Sequence, residues 1–157
     1  MRFCVPFVAA LLAVPAFAQN PPSEQLATLP ATGWVVDPKT GCKVWDAVPD
    51  PEERTSWSGN CVNGMAEGKG TLQFFIGGKP ATRYEGDMRN GRADGHGVNI
   101  EPDGGRYEGQ WRNNAAHGFG IYTRGEERYE GTWVNGCMKQ GTKELTVGVT
   151  RDSCGFK

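Results

Sequence analysis

The feature that most constrains this protein is a short unit that recurs four times. Each unit opens on an aromatic residue, with a glycine two positions later and a large or apolar residue four positions later. Because side chains alternate between the two faces of a β-strand, these three positions share one face. The leading aromatics are separated by 27, 23 and 22 residues, and they are Trp57, Tyr84, Tyr107 and Tyr129. A period of this length predicts an array of stacked repeats.

The glycine inside each strand indicates a packing role, because a strand gains nothing intrinsic from glycine. It recurs at Gly59, Gly86, Gly109 and Gly131. We expect an aromatic ring from a neighbouring strand to lie across the slot that each missing side chain leaves. The repeated rings are expected to form the core, with an exposed stacking platform for sugars or peptide rings as the alternative. These rings are Trp57, Tyr84, Tyr107, Trp111, Tyr129 and Trp133.

Turn signals follow each of these strands. Asn-Gly, the strongest short hairpin signal, occurs at 63–64, 90–91 and 135–136, and Asn113-Asn114 stands there in the third unit. Three units continue with a Gly-x-Gly pair and a second β-rich run. Each unit therefore predicts a hairpin of two short strands. The fold class expected is all-β, an antiparallel hairpin meander or solenoid, and no helical period is found after the first 18 residues.

This pattern resembles the MORN (membrane occupation and recognition nexus) repeat family, whose unit runs Tyr-Glu-Gly, four residues, Gly, and then Gly-x-Gly. The likeness covers residues 57 to about 142. The first unit departs by carrying Trp57-Ser58, and the fourth by carrying Gln140-Gly141-Thr142 in place of the glycine pair. The resemblance implies a scaffold or binding module, since MORN arrays commonly serve as scaffolds and have been linked to membrane lipids.

Five segments are expected. Residues 1–18 read as a secretory signal peptide, with Arg2, a short apolar run and a small-residue cleavage site near Ala18. Residues 19–32 are proline-rich and predict a flexible linker. Residues 33–56 predict a capping hairpin before the first repeat, 57–142 the four repeats and 143–157 a capping strand. We expect an exported protein, periplasmic or secreted, that is soluble after cleavage.

Export to an oxidising compartment decides how the cysteines are interpreted. Four remain after cleavage, an even number for an oxidising compartment, and disulfides are the default. Three pairings are possible, and the simplest joins local partners: Cys42 with Cys61 and Cys137 with Cys154. Each bond closes a loop of under 20 residues and stabilises by about 3 kcal/mol. A zinc site is disfavoured because no Cys-x-x-Cys or Cys-x-x-His spacing occurs.

The sequence predicts no catalytic, metal or cofactor-binding residues. The mature protein has 16 basic against 18 acidic side chains, so no nucleic-acid partner is expected. Gly64 to Thr71 resembles a phosphate loop only faintly, because its glycines belong to the repeat. His96 and His117 occupy different repeat positions, and a structural or solvated role is favoured for both.

A ladder of arginines and glutamates two residues apart recurs in the middle units, on the face opposite the rings. It predicts a solvated charge lattice, or alternatively a recognition face for phosphate or carboxylate. The function expected is a non-enzymatic binding module for a protein, a glycan or a membrane surface. A small envelope enzyme or its regulatory subunit is the alternative, and a homodimer through a strand edge stays open. The ladder comprises Arg83, Glu85, Arg106, Glu108, Arg128 and Glu130.

Overall fold

The structure is a computed structural model that describes residues 33–47 and 49–156. The signal peptide and the linker predicted for residues 1–32 lie outside the described residues. Within the described ranges, no helix has the length and apolar character needed to cross a membrane.

The described residues form strands joined by tight turns, with a single 3-10 helix at Asp152–Cys154. Eight strands form a path β1-β2-β5-β6-β7-β8-β9-β10, with β3 and β4 both paired to β5, and β11-β12 form a separate pair. All pairings are antiparallel except a short parallel contact between β2 and β5. The strands are β1 Trp34–Val36, β2 Lys43–Trp45, β3 Glu53–Trp57, β4 Asn60–Val62, β5 Met65–Ile76, β6 Lys79–Arg89, β7 Arg92–Ile100, β8 Arg106–Arg112, β9 Ala115–Arg124, β10 Glu127–Trp133, β11 Cys137–Gln140 and β12 Lys143–Thr146.

The all-β hairpin meander expected from the sequence is confirmed, although its strands are longer than expected and reach 12 residues in β5. The second and third units each form one hairpin, β6-β7 and β8-β9. Their turns adopt positive φ at both central residues, 49° and 72° at Asn90 and Gly91, as type I′ hairpins require. The fourth unit is incomplete, because β11 pairs with β12 and leaves β10 as the last strand of the main sheet.

Glycines pair with glycines across the sheet, and this row carries the rings. Gly86 pairs with Gly97 and Gly109 with Gly120. A Cβ on Gly97 or Gly120 would run into the ring of Tyr84 or Tyr107. The expectation of a ring from a neighbouring strand is therefore wrong for the mid-strand glycines. In the first three units, the leading ring lies along its own strand and covers two glycines. One stands two residues after the ring and the other lies on the next strand, as Gly86 and Gly97 do under Tyr84. The full row is Gly70, Gly86, Gly97, Gly109, Gly120 and Gly131.

The fourth unit differs in this respect. The position of a Cβ on Gly131 lies 3.0 Å from the Met138 Cε atom and meets no aromatic ring. Met138 is buried, while Tyr129 is only partly buried and packs against the core. The β11-β12 hairpin thus supplies the group that covers the last glycine.

The N-terminal hairpin β1-β2 does not simply precede the first repeat, as the sequence suggested. The Lys43 N–H donates to the Gly64 carbonyl at 2.9 Å, and the Trp45 N–H donates to the Gly91 carbonyl at 2.8 Å. The Arg92 guanidinium lies over both rings of this hairpin, 5.0 Å from the Trp34 centroid and 4.5 Å from the Trp45 centroid. The hairpin therefore lies across the turns of successive units, held by hydrogen bonds and cation–π contacts.

A disulfide lies near each end of the described residues. Cys42 is bonded to Cys61 and Cys137 to Cys154, each with a Cα–Cα distance of 5.7 Å. These are the two local pairs preferred from the sequence. The first bond joins the N-terminal hairpin to the first repeat, and the second joins β11 to the C-terminal 3-10 helix.

Candidate functional site

One face of the sheet is filled by rings and offers no stacking platform in the described residues. Five of the six repeated rings are buried, with Trp133 fully buried and Tyr107 1% exposed. Edge-to-face contacts link them in a row, with centroids 5.4 Å apart for Tyr84 and Trp111, 5.2 Å for Tyr107 and Trp111, and 5.1 Å for Tyr107 and Trp133. We call this side the ring face and the opposite side the outer face.

The polar tips of the buried rings are satisfied by backbone carbonyl groups. The hydroxyls of Tyr84 and Tyr107 donate to the carbonyl oxygens of Asp87 and Gln110, three residues further on. Both acceptors lie at bulges where the register with the following strand shifts. Burial raises the pKa of Tyr107 to about 12 and also raises that of Tyr84, which keeps both hydroxyls protonated. These tyrosines therefore serve the core.

The six charged residues predicted as a ligand face lie together on the outer face in two rows. One row runs through Glu85, Glu108 and Glu130, and the arginine row lies beside it. Each arginine forms an ion pair with the glutamate two residues further along its own strand, and the Arg106–Glu108 pair measures 2.7 Å. Such exposed pairs stabilise by about 0.2–1 kcal/mol each. The ladder is self-paired.

Apolar side chains separate the charged residues of this face. Register places Val98 between Glu85 and Glu108, and Ile100 between the paired arginines of β6 and β8. Ile100 is 38% exposed, and Phe119, two strands further on β9, is 54% exposed. The outer face therefore combines exposed apolar groups with fixed charge pairs.

Beside these rows, the outer face contains a pocket of about 500 Å³ between the second and third units. It brings together both histidines, for which the sequence favoured a structural or solvated role. Register explains the convergence, because His96 on β7 pairs with Gln110 on β8 and Gln110 also contacts the backbone next to His117 on β9. The lining residues are Arg89, Asp94, Gly95, His96, Gln110, Trp111, Arg112 and His117.

The pocket is built from equivalent positions of two successive units. Arg89 and Arg112 stand five residues after their leading tyrosines, and Asp94 and His117 stand ten residues after them. In the second unit, Arg89 pairs with Asp94 at 3.5 Å. In the third unit, the Arg112 guanidinium donates to the Asn135 side-chain oxygen at 3.0 Å and has no ion pair with any described residue. The sequence signal for this site was a regular repeat position whose residue changes from Asp94 in the second unit to His117 in the third.

In the first and third units, the residue ten positions after the leading aromatic accepts a hydrogen bond from the backbone of the next unit's turn. The Asn90 backbone N–H donates to the Glu67 carboxylate at 2.8 Å. In the turn of the fourth unit, the Asn135 N–H donates to the His117 Nδ1 atom at 3.4 Å. His117 thus takes the place that a carboxylate holds in the first unit. Over residues 33–47 and 49–156, no three His, Cys, Asp or Glu side chains converge as ligands of a metal ion would.

The fold and its glycine row define a β-hairpin repeat array. The MORN repeat matches the sequence at four stretches, residues 57–79, 84–106, 107–125 and 129–136. The protein therefore belongs to the MORN-repeat family. MORN repeats are generally protein- or membrane-binding modules, which is compatible with a non-enzymatic scaffold. Comparison with curated proteins returns no significant match.

Proposed function

We propose that this protein is an exported, non-enzymatic module that binds a protein partner through the outer face of its repeat sheet. The observation that carries the proposal is that the two faces of the repeat sheet present different side chains. Rings fill one face, and the other face presents Phe119 and Ile100 beside fixed charge pairs. Protein interfaces combine apolar anchors with a polar, charge-complementary surround.

The same observations rank the other partner classes lower. A glycan platform would use exposed rings, whereas five of the six repeated rings are buried. An anionic membrane surface would be attracted by uncompensated basic rows, whereas the arginines of the ladder each have a glutamate partner. The outer face is thus better suited to a protein surface.

The proposal is tested with the purified mature protein as bait for native envelope extract, with glycan, peptidoglycan and anionic-vesicle panels assayed in parallel. We expect one protein to be retained reproducibly, and Phe119→Ser to lower its retention at least tenfold, as loss of an interface anchor does. Val36→Ser is the matched control, since Val36 is 38% exposed on the N-terminal hairpin, outside the outer face of the repeats.

Three results would contradict the proposal. Saturable glycan or vesicle binding that Phe119→Ser leaves unchanged would replace the protein partner with another ligand class. Equal losses for Phe119→Ser and Val36→Ser would place the contact elsewhere. Turnover of a generic hydrolase substrate would favour the enzyme alternative, and His117→Ala would then be examined for loss of turnover.

A further inference from the structure

The pocket between the second and third units contains an unequal pair of arginines. Arg89 pairs with the Asp94 carboxylate, whereas the equivalent residues of the third unit that line the pocket are Arg112 and His117. Both arginines are exposed at the pocket rim, and Trp111, 7% exposed, lines the pocket beneath. One repeat therefore holds an internal carboxylate on its arginine, and the next repeat has the arginine without the carboxylate.

Resting on the protein-binding function proposed above, we infer that this pocket binds a carboxylate group of the partner. The Arg112 guanidinium holds that group in the position that Asp94 takes one repeat earlier. Arginine binds carboxylates through a planar fork of donors, and the Arg112 side chain is already oriented by the Asn135 side-chain oxygen at 3.0 Å. Orientation in the free protein lowers the entropy lost on binding.

The two histidines contribute further donors. His117 Nδ1 accepts the Asn135 N–H, which leaves Nε2 as the protonated nitrogen of a neutral ring and a donor for the ligand. His96 lines the same pocket from β7, and its backbone N–H donates to the Asp87 side chain at 3.3 Å. A carboxylate in this pocket would therefore lie among one guanidinium and two imidazole side chains.

The charges around the pocket favour a carboxylate over a phosphate. Asp94 lines the pocket, and Asp87 lies next to His96. The charges of Asp94 and Asp87 offset those of Arg89 and Arg112, so the pocket has no excess positive charge to compensate the larger desolvation cost of a phosphate group of charge near −2. The ligand chemistry that fits is a glutamate or aspartate side chain, or the terminal carboxylate of a polypeptide.

The test uses the intact mature protein and four small probes, followed by NMR of the Arg112 side-chain Nε–H and the His117 ring. Acetyl-tetraglutamate amide offers side-chain carboxylates, and acetyl-tetraalanine with a free C-terminus offers a terminal one. Acetyl-tetraalanine amide offers none, and inorganic phosphate is the competing anion. We expect saturable shifts with one or both carboxylate probes, none with the amide, and binding of phosphate at least tenfold weaker.

Two variants and one matched control locate the site. Arg112→Gln removes the guanidinium, and His117→Asp restores the internal carboxylate of the preceding repeat, so each should weaken carboxylate binding at least tenfold. Arg124→Gln removes an arginine outside the pocket that Glu101 and Asp103 already hold at 2.9 and 2.8 Å, and its binding should stay within about twofold of the parent. Backbone NMR spectra establish that each variant is folded.

Several outcomes would overturn the inference. These are absence of saturable shifts at Arg112 with both carboxylate probes, equal binding of phosphate, parental binding by His117→Asp, or an Arg124→Gln loss equal to that of Arg112→Gln. The proposed function fails separately. A partner retained through Phe119 but unaffected by Arg112→Gln would refute this inference alone, whereas probe binding without any retained protein would refute the proposed function.

Discussion

The Tyr107 hydroxyl donates a hydrogen bond to the Gln110 carbonyl oxygen, 3.0 Å away and three residues further along the same strand. The Trp57 indole N–H makes the equivalent bond to the Asn60 carbonyl at 2.8 Å. Two different aromatic residues thus donate to the same backbone position of the unit, which follows a bulge or a strand break. The leading residue of the unit needs both a ring and a donor at its tip.

Removing that donor alone should destabilise the protein. Tyr107→Phe keeps the ring over the glycine pair but leaves the Gln110 carbonyl without its partner, and we expect a loss of about 1–2 kcal/mol in the free energy of unfolding. Denaturant titration measures it. Tyr122→Phe is the control, because its hydroxyl has only a 3.3 Å bond to the Glu101 carboxylate. An equal loss in both variants would contradict the role assigned to Tyr107.

Glycine substitution should depend on whether a ring lies over the position. A Cβ at Gly109 would lie 2.6 Å from both the Gly120 Cα and the Tyr107 hydroxyl oxygen. Gly109→Ala should therefore lower the free energy of unfolding by at least about 2 kcal/mol through overpacking.

The fourth unit offers the matched control for this substitution. At Gly131 the added methyl meets only the flexible end of Met138, at 3.0 Å. Gly131→Ala should change the free energy of unfolding by no more than about 1 kcal/mol. Thermal and denaturant unfolding of the two variants side by side decides the matter, and similar values would argue against ring packing as the reason for the glycines.

Asn114 should stabilise the protein through its side-chain hydrogen bonds as well as through its turn conformation. Its side-chain nitrogen donates to the Trp45 carbonyl at 2.9 Å, and its side-chain oxygen accepts the Ala93 N–H at 2.5 Å. Asn114→Gly keeps the positive φ of 67° but loses both bonds, which should cost about 1–2 kcal/mol. Asn113→Gly is the neighbouring control at φ 50° and should be nearly neutral. Hydrogen exchange should show faster opening of the N-terminal hairpin only in the first variant.

The stability of the edge strand β3 should depend on pH through Glu53. This residue is 8% exposed, and its Oε2 atom has no hydrogen-bond partner among the residues that the structure describes. Burial, with the charges of Asp46 and Asp50, raises the pKa of Glu53 from 4.5 to about 7. The folded state therefore binds the proton more tightly than the unfolded state. The resulting stabilisation is complete below pH 4.5 and is lost as the pH rises through about 7.

A neutral side chain at this position should remove that dependence. Glu53→Gln should flatten the fall in the free energy of unfolding between pH 4.5 and 7, a change of about 1–3 kcal/mol. Glu52→Gln, at the exposed neighbouring position, should leave the profile unchanged. Thermal unfolding over this pH range measures both variants. A parental profile for Glu53→Gln would show that other groups control the pH dependence.

The repeat and its turns could be predicted because their causes lie within one unit. A glycine two residues after an aromatic and an Asn-Gly dipeptide act over a few residues and recur at a fixed spacing. The departure of the fourth unit was indicated in the same way, by Gln140-Gly141-Thr142 in place of the glycine pair. Local chemistry that repeats leaves a readable pattern.

The placement of the caps and the pocket could not be predicted because it depends on long-range contacts. Asn114 and Trp45 are 69 residues apart, and a departure from Asn-Gly in one unit does not reveal its partner. His96 and His117 hold different positions in their units, and only the bulge near Gln110 and the pairing across β8 bring them to one pocket. Register shifts of one residue are invisible to a period count.

The contacts of the N-terminal hairpin also limit the number of repeats in the array. It bonds to the first three units in turn, through Gly64, Gly91 and the side chain of Asn114, while a Cβ on Gly148 near the C-terminus would run into the Asn114 backbone from the other side. The two end segments thus meet on one residue of the third unit. Duplication of a unit upstream of Asn114 would pull Trp45 away from its partner, so lengthening by whole repeats requires a redesigned end, and the present ends permit only this count.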